Sequence, residues 1–298
     1  MLPNFIIAGP PKCASTSLHF YLNQHPDIFM SPVKETNFFT RDFEKGLEFY
    51  ATHFEKAHTE KMIGEATPSY SFLPFAAERI QKTFPDMKII FCFRNPAERA
   101  FSNWLMLWDA GVEVDDFKTA LKINLKQLEH ISFEGLEGAG IWNDRVNHLK
   151  QGEKWVRMYI QAGMYAKMLN NYLGLFPKEN IKYIFLDDLK KDFDNTMKSI
   201  FNFLGVDENF VIPVKEDKNY FYNRKIYRSL NKIIGIKTTR AIARMMPTDF
   251  KNVFKEKKQT VKKELFLQDD DRKWLNALYK SDIEQLEKLT EKNLDIWL

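Results

Sequence analysis

Apolar residues in this chain gather in short continuous runs separated by longer stretches of helical spacing, and that alternation predicts an architecture. Phe5 to Ala8 is such a run and ends at Gly9; Ile28 to Met30, Lys88 to Phe93 (KIIFCF) and Ile181 to Leu186 (IKYIFL) repeat the form, KIIFCF most strongly. Short runs without polar alternation belong to strands buried on both faces, as in a parallel sheet. Between them the period turns helical. Leu18, Tyr21 and Leu22 share a face over Ser15 to Leu22, and Phe43 to Phe54, Phe75 to Phe84 and Gly163 to Leu175 read as helices. Thr196 to Leu204 is a helix closed by Gly205, and helical stretches surround Trp274 to Leu278 and Ile283 to Leu289. Gly64 to Pro68 (GEATP) reads as a break ahead of Tyr70, and Asp115 to Leu149 as helical but interrupted by Gly135, Gly138 and Gly140. Strands alternating with helices predict an α/β fold, a parallel sheet flanked by helices, formed by residues 1–298 as one domain.

The link between the first strand and the first helix carries candidate chemistry. Gly9, two prolines, Lys12, Cys13, Ala14 and the hydroxyl run Ser15, Thr16, Ser17 bring backbone N–H groups, a cation and hydroxyls to a helix N-terminus, which is equipment for holding a phosphate. It is not a Walker A loop, because Lys12 stands three residues ahead of Ser15 and no glycine precedes the hydroxyls. The sheet is P-loop-like rather than a P-loop with its magnesium hydroxyl, and a capped turn with a stray lysine is the plain alternative. Two further strand ends carry polar groups. Lys34 and Glu35 follow the second strand, at the edge where parallel sheets bind ligands. Arg94 leaves KIIFCF into Asn95-Pro96-Ala97-Glu98-Arg99, where Pro96 starts a helix continuing through Phe101, Ser102 and Trp104. A guanidinium there can grip a phosphate in bidentate fashion with Ser102 adding a bond, or it can pair with Glu98 or Asp109.

Composition narrows the class. With 298 residues and 44% apolar content a substantial core forms, and disorder is excluded as the theme. Two cysteines exclude a disulfide framework, no apolar run approaches a membrane span, and MLPN leads straight into the first strand, so a cytoplasmic protein is expected. The net charge of +4 hides an asymmetry: Lys218 to Lys263 holds fourteen Lys and Arg against two acids, with apolar residues interleaved. That segment is expected to form a helical lid, in transient contact with a substrate or an anionic membrane rather than with nucleic acid.

Taken together, PKCASTSL, KETNFF, GEATPSY and FRNPAERAFSNW, in that order after successive strands, resemble the sulfotransferases, in particular the branch that includes the heparan sulfate enzymes. The likeness runs on through AGMYAKMLNNYLGLFPKENIKYIFLDDL and the FLGV turn, covering roughly residues 5–206. The resemblance implies 3′-phosphoadenosine 5′-phosphosulfate as donor and 3′,5′-ADP as product, with no metal. It places Lys12, Cys13, Ala14, Ser15, Thr16 and Ser17 around the 5′-phosphosulfate, Arg94 and Ser102 on the 3′-phosphate, and Tyr165 within the donor-binding set. It makes Lys12 and Glu35 the catalytic residues, Glu35 falling where the carbohydrate branch has its base. Ala66 departs from the lysine that the branch often carries in its EKTP-like motif, and the branch's disulfide-stapled C-terminal loop has no counterpart here. A bacterial-type soluble enzyme is implied, its acceptor a sugar, lipid or small metabolite. Two other readings stay open: a P-loop nucleotide kinase, separable by its need for magnesium, and a non-catalytic module binding nucleotide or an anionic surface.

Overall fold

The structure, a computed structural model, describes residues 1–147, 156–215 and 266–298. Its centre is a five-stranded, wholly parallel sheet in the order β2-β3-β1-β4-β5. The strands are β1 (Phe5–Ile7), β2 (Ile28–Met30), β3 (Met62–Ala66), β4 (Lys88–Phe93) and β5 (Ile181–Phe185). Every β1 residue, and every β4 residue after Lys88, is fully buried. At about 1.5–3 kcal/mol for each large apolar side chain removed from water, these two strands are the energetic spine of the fold. The chain runs from β1 to β2 and β3 on one side and then crosses to β4 and β5 on the other. A crevice therefore opens at the carboxyl ends of β1 and β4, where parallel sheets bind ligands.

The expected break at Gly64 to Pro68 is corrected by the structure, which places Gly64, Glu65 and Ala66 in β3, between β1 and β2 and buried throughout. The strand escapes an apolar pattern for two reasons. Gly64 is where the Phe5 ring lies, since a Cβ there would come within 2.3 Å of it, so Phe5 supplies the missing bulk. Glu65 is tolerated because hydroxyl groups surround its carboxylate.

The helices that frame the crevice are α1 (Ser15–Leu22), α2 (Gly46–Ala51), α3 (Pro74–Thr83) and α4 (Pro96–Asp109). Asn95 caps α4 by accepting from the Glu98 N–H at 3.0 Å, with Pro96 at the first helical position. The expected helix over Phe43 to Phe54 is broken: Gly46, at φ 77°, separates the turn Phe43–Lys45 from α2, and a second turn, Thr52–Phe54, follows. The stretch from Asp115 resolves into α5 (Phe117–Leu128) and α6 (Gly135–Asn147). After α7 (Tyr165–Leu173), α8 (Leu186–Lys191) and α9 (Phe193–Leu204), the two terminal stretches prove to be one helix, α10 (Asp269–Thr290). Leu275, Tyr279, Ile283 and Leu286 form its single buried face, so the polar residues between the two expected stretches are solvated positions rather than a break. Asp282 on α10 accepts from the N–H groups of Ala166 and Lys167 and so fastens α10 to the start of α7. The basic segment 218–263 lies outside the described residues.

Candidate active site

The loop after β1 turns by means of two residues in the left-handed region, Lys12 at φ 73° and Ala14 at φ 65°. Ala14 is the N-cap of α1 and has no side chain to cap with; the first intrahelical bond is Leu18 N–H to the Ala14 carbonyl, 2.9 Å. The N–H groups of Ser15, Thr16 and Ser17 therefore precede the helical ladder and face the loop's mouth, with the positive end of α1 behind them. Thr16 is exposed there, Ser17 half-buried and Ser15 buried. A phosphate-sized anion fits this cradle: open donors, no competing acidic cap, and room left by a missing side chain.

Cys13 and Tyr165 lie beneath the loop, both fully buried, with Sγ 3.7 Å from the Tyr165 hydroxyl. Burial pushes the Cys13 thiol up, opposed by the charge of Arg99 and the hydrogen bond to Tyr165. Tyr165 itself packs on Phe93 and Trp297. With no exposed surface, Tyr165 packs beneath the loop through its hydroxyl contact with Cys13.

Lys12 is half-buried above the loop, its Nζ 4.0 Å from Met106 Sδ on α4. Its ammonium is held below the ordinary lysine range, first by burial and then by the like charges of Arg94 and Lys34, while Cys13 and Glu35 pull it back up. Cations from three strand ends thus act on one another at Lys12, only partly offset by the carboxylate of Glu35.

Arg94 leaves β4 two residues before α4, and Ser102, half-buried, lies further along that helix. Here the plain alternative raised from the sequence is realised: Arg94 Nη2 stands 3.3 Å from Glu98 Oε2. The other Glu98 oxygen takes Arg272 of α10 at 2.6 Å. Asn95 donates to the Trp297 carbonyl, so the chain's last helical turn closes against the same corner.

Glu35 sits on the opposite lip, exposed, with Oε1 2.9 Å from Lys34 Nζ. Its backbone is left-handed, φ 62°, and its N–H donates to the Ala66 carbonyl at 3.1 Å. Lys34 orients the carboxylate without enclosing it. The nearby histidines are otherwise engaged: His19 Nε2 bonds the Ser31 carbonyl, and His25 is buried against Phe201 and Phe210. Sequence reasoning missed what lies behind Glu35, where the buried Glu65 accepts from Tyr50, Thr67 and Tyr70. The signal was GEATPSY itself, a buried acid flanked by hydroxyl-bearing residues, hidden by its reading as a break.

A cationic turn at a helix N-terminus, a strand-end arginine and a carboxylate at the carboxyl edge of a parallel sheet mark the candidate site of a P-loop-like α/β protein. Residues 2–297 match the family described as "Sulfotransferase domain", and the chain belongs to the sulfotransferase family. Among its relatives, membrane-associated sulfotransferase kil1 of Dictyostelium discoideum is 41% identical over 106 residues, 35% of this chain and 22% of that protein. Carbohydrate sulfotransferase 15 of Rattus norvegicus is 27% identical over 252 residues, 69% of this chain and 44% of that protein. Heparan sulfate glucosamine 3-O-sulfotransferase 3B1 of Mus musculus is 27% identical over 235 residues, 78% and 53% of the two chains. The chain thus spans about half or less of the length of these relatives. The solved sulfotransferase from Alicyclobacillus acidocaldarius shares the fold, at TM-score 0.69 and 24% identity over 100% of this chain and 99% of that one. Among the described residues no helix is long and apolar enough to cross a membrane.

Proposed function

We propose that the chain transfers a sulfuryl group from 3′-phosphoadenosine 5′-phosphosulfate to an acceptor hydroxyl, releasing 3′,5′-ADP. The observation that carries this reading is the convergence, in a chain of this family, of the open N–H groups of Ser15, Thr16 and Ser17 with Lys12, Arg94 and Glu35 around one crevice. The donor would supply an activated sulfuryl group already joined to a good leaving phosphate. The chain's residues do the rest. The α1 N-terminus and the hydroxyls of Thr16 and Ser17 hold the 5′ end; Arg94 and Ser102 hold the 3′-phosphate. Lys12 keeps a positive charge where the leaving phosphate gains negative charge, a stabilisation greatest in the transition state. Glu35 takes the acceptor's proton as its oxygen attacks sulfur in line, and its exposure leaves room for an acceptor above it. The names of the relatives, carbohydrate and heparan sulfate enzymes, favour a sugar hydroxyl.

The test is incubation of the protein with donor labelled in its sulfuryl group and a mixed library of oligosaccharides, lipid headgroups and small alcohols, followed by mass spectrometry, with and without EDTA. Label should move to members bearing sugar hydroxyls at a rate EDTA leaves unchanged. Transfer of phosphate from ATP, dependent on magnesium, would instead establish the kinase reading.

A further inference from the structure

Behind Glu35 a carboxylate lies inside the sheet, on β3 between β2 and β1. Glu65 is fully buried on β3, in register with Ile6 of β1. Among the described residues no cation pairs with it. Three hydroxyls serve it instead: Tyr50 at 2.7 Å and Tyr70 at 3.0 Å on Oε1, and Thr67 at 2.6 Å on Oε2. Burial pushes its pKa up, and those hydroxyls together with that of Thr36, Thr67 first, pull it down. A buried acid is an expensive way to fill a strand, and apolar packing would serve stability as well. Its position has a use that packing would not have.

A hydroxyl owns one proton. Tyr70 and Thr67 give theirs to Glu65, which leaves both oxygens as acceptors toward whatever lies beyond them. What lies beyond is the loop that carries Glu35. The Tyr70 oxygen accepts the Phe39 N–H at 3.3 Å and faces Thr36 Oγ1 at 3.3 Å, and the Thr67 oxygen accepts the Asn37 N–H at 3.4 Å. The Glu35 N–H reaches the Ala66 carbonyl next to Glu65. Two rings complete the attachment: Phe38 stacks on Tyr50 at 4.2 Å, and Phe39 meets Tyr70 edge-on at 5.5 Å. The loop needs this grip, since Glu35 and Asn37 both hold left-handed backbone, φ 62° and 56°, which such residues keep when their surroundings over-determine them.

We infer that Glu65 and Tyr70 are positioning residues for the base, a buried carboxylate-hydroxyl chain whose polarity fixes the loop and with it the direction of the Glu35 carboxylate. The inference rests on the assignment of Glu35 as base. Neither residue has exposed surface, so both act through Glu35 and not on any ligand. A base displaced by about an ångström loses much of its effect, so a modest slackening of this chain is felt in turnover.

The experiment is a double-mutant cycle of Tyr70→Phe and Glu35→Gln in the full chain, with Thr36→Val as a milder break in the same chain that leaves Tyr50, Thr67 and Tyr70 on Glu65. Turnover is read as 3′,5′-ADP release with the mixed acceptor library, binding as calorimetry with 3′,5′-ADP, and loop order as amide hydrogen exchange over residues 34–42 of the free protein. Tyr70→Phe should lower kcat about ten- to hundredfold with 3′,5′-ADP affinity unchanged, and raise exchange in the loop. Thr36→Val should do the same to a lesser degree. In the Glu35→Gln background, Tyr70→Phe should cost nothing more. If Glu35→Gln abolishes turnover while both hydroxyl deletions leave kcat and loop exchange intact, or if the losses multiply, the positioning role is overturned and the base assignment stands. If Glu35→Gln retains turnover, the base assignment fails and the inference with it.

Discussion

Arg94 offers the sharpest quantitative test of donor recognition. In the free protein its guanidinium is paired with Glu98 at 3.3 Å, their side chains 24% and 35% exposed. An ion pair this open is worth about 0–1 kcal/mol after screening. A charge-assisted contact to a phosphate is worth about 1.5–3 kcal/mol. Glu98 keeps Arg272 at 2.6 Å when Arg94 turns to a ligand, so its carboxylate is not stranded. The difference leaves about 0.5–3 kcal/mol for the 3′-phosphate, or roughly two- to 150-fold in affinity. Calorimetry with 3′,5′-ADP and with 5′-AMP should show that preference in the native protein, and Arg94→Ala should remove most of it while changing 5′-AMP binding little. Equal binding of the two nucleotides by the native protein, or an equal loss for both in Arg94→Ala, refutes the assignment of Arg94 to the 3′-phosphate.

Two further outcomes follow from the same geometry. Because burial and neighbouring cations hold Lys12 below the ordinary lysine range in the free protein, and a bound anion would raise it, donor binding takes up a proton as pH climbs past the free value. Affinity for 3′,5′-ADP should be full below that lowered pKa and fall by up to about tenfold per pH unit above it; titration at stepped pH checks this, and Lys12→Ala should bind weakly with no such alkaline fall. Gly64→Ala would drive a methyl into the Phe5 ring inside a sheet with no room to yield, so it should destabilise by about 1–3 kcal/mol, read as a lower midpoint in urea with an unchanged slope.

Much of this fold could be read from apolar runs. β1, β2, β4 and β5 fall where hydrophobic stretches place them; the inner strands β1 and β4 are almost wholly apolar because both their faces are buried, while the edge strand β5 keeps half-buried Lys182 and Tyr183. β3 could not be read that way: a glycine fills its place with another strand's ring, which is not local in sequence, and a glutamate is made tolerable by the neighbouring hydroxyls of Thr67 and Tyr70 together with that of Tyr50 on α2. The elements of the site were legible where chemistry is dense, at Lys12 with its hydroxyl run, at KETNFF and at FRNPAER. The sequence did not reveal the relations between them. Nothing in FRNPAER says that Glu98 is shared with Arg272, and nothing in AGMYAKML says that Tyr165 lies buried under the loop against Cys13. Such relations are set by packing between elements far apart in the chain.

The account stands most directly on Glu35. Glutamine there keeps the shape and hydrogen bonding of the side chain and removes its capacity to take a proton. Turnover of Glu35→Gln against the mixed acceptor library, set beside its calorimetric affinity for 3′,5′-ADP, should show a fall of about two to four orders of magnitude in rate at unchanged affinity. Near-normal turnover with normal 3′,5′-ADP binding would contradict it.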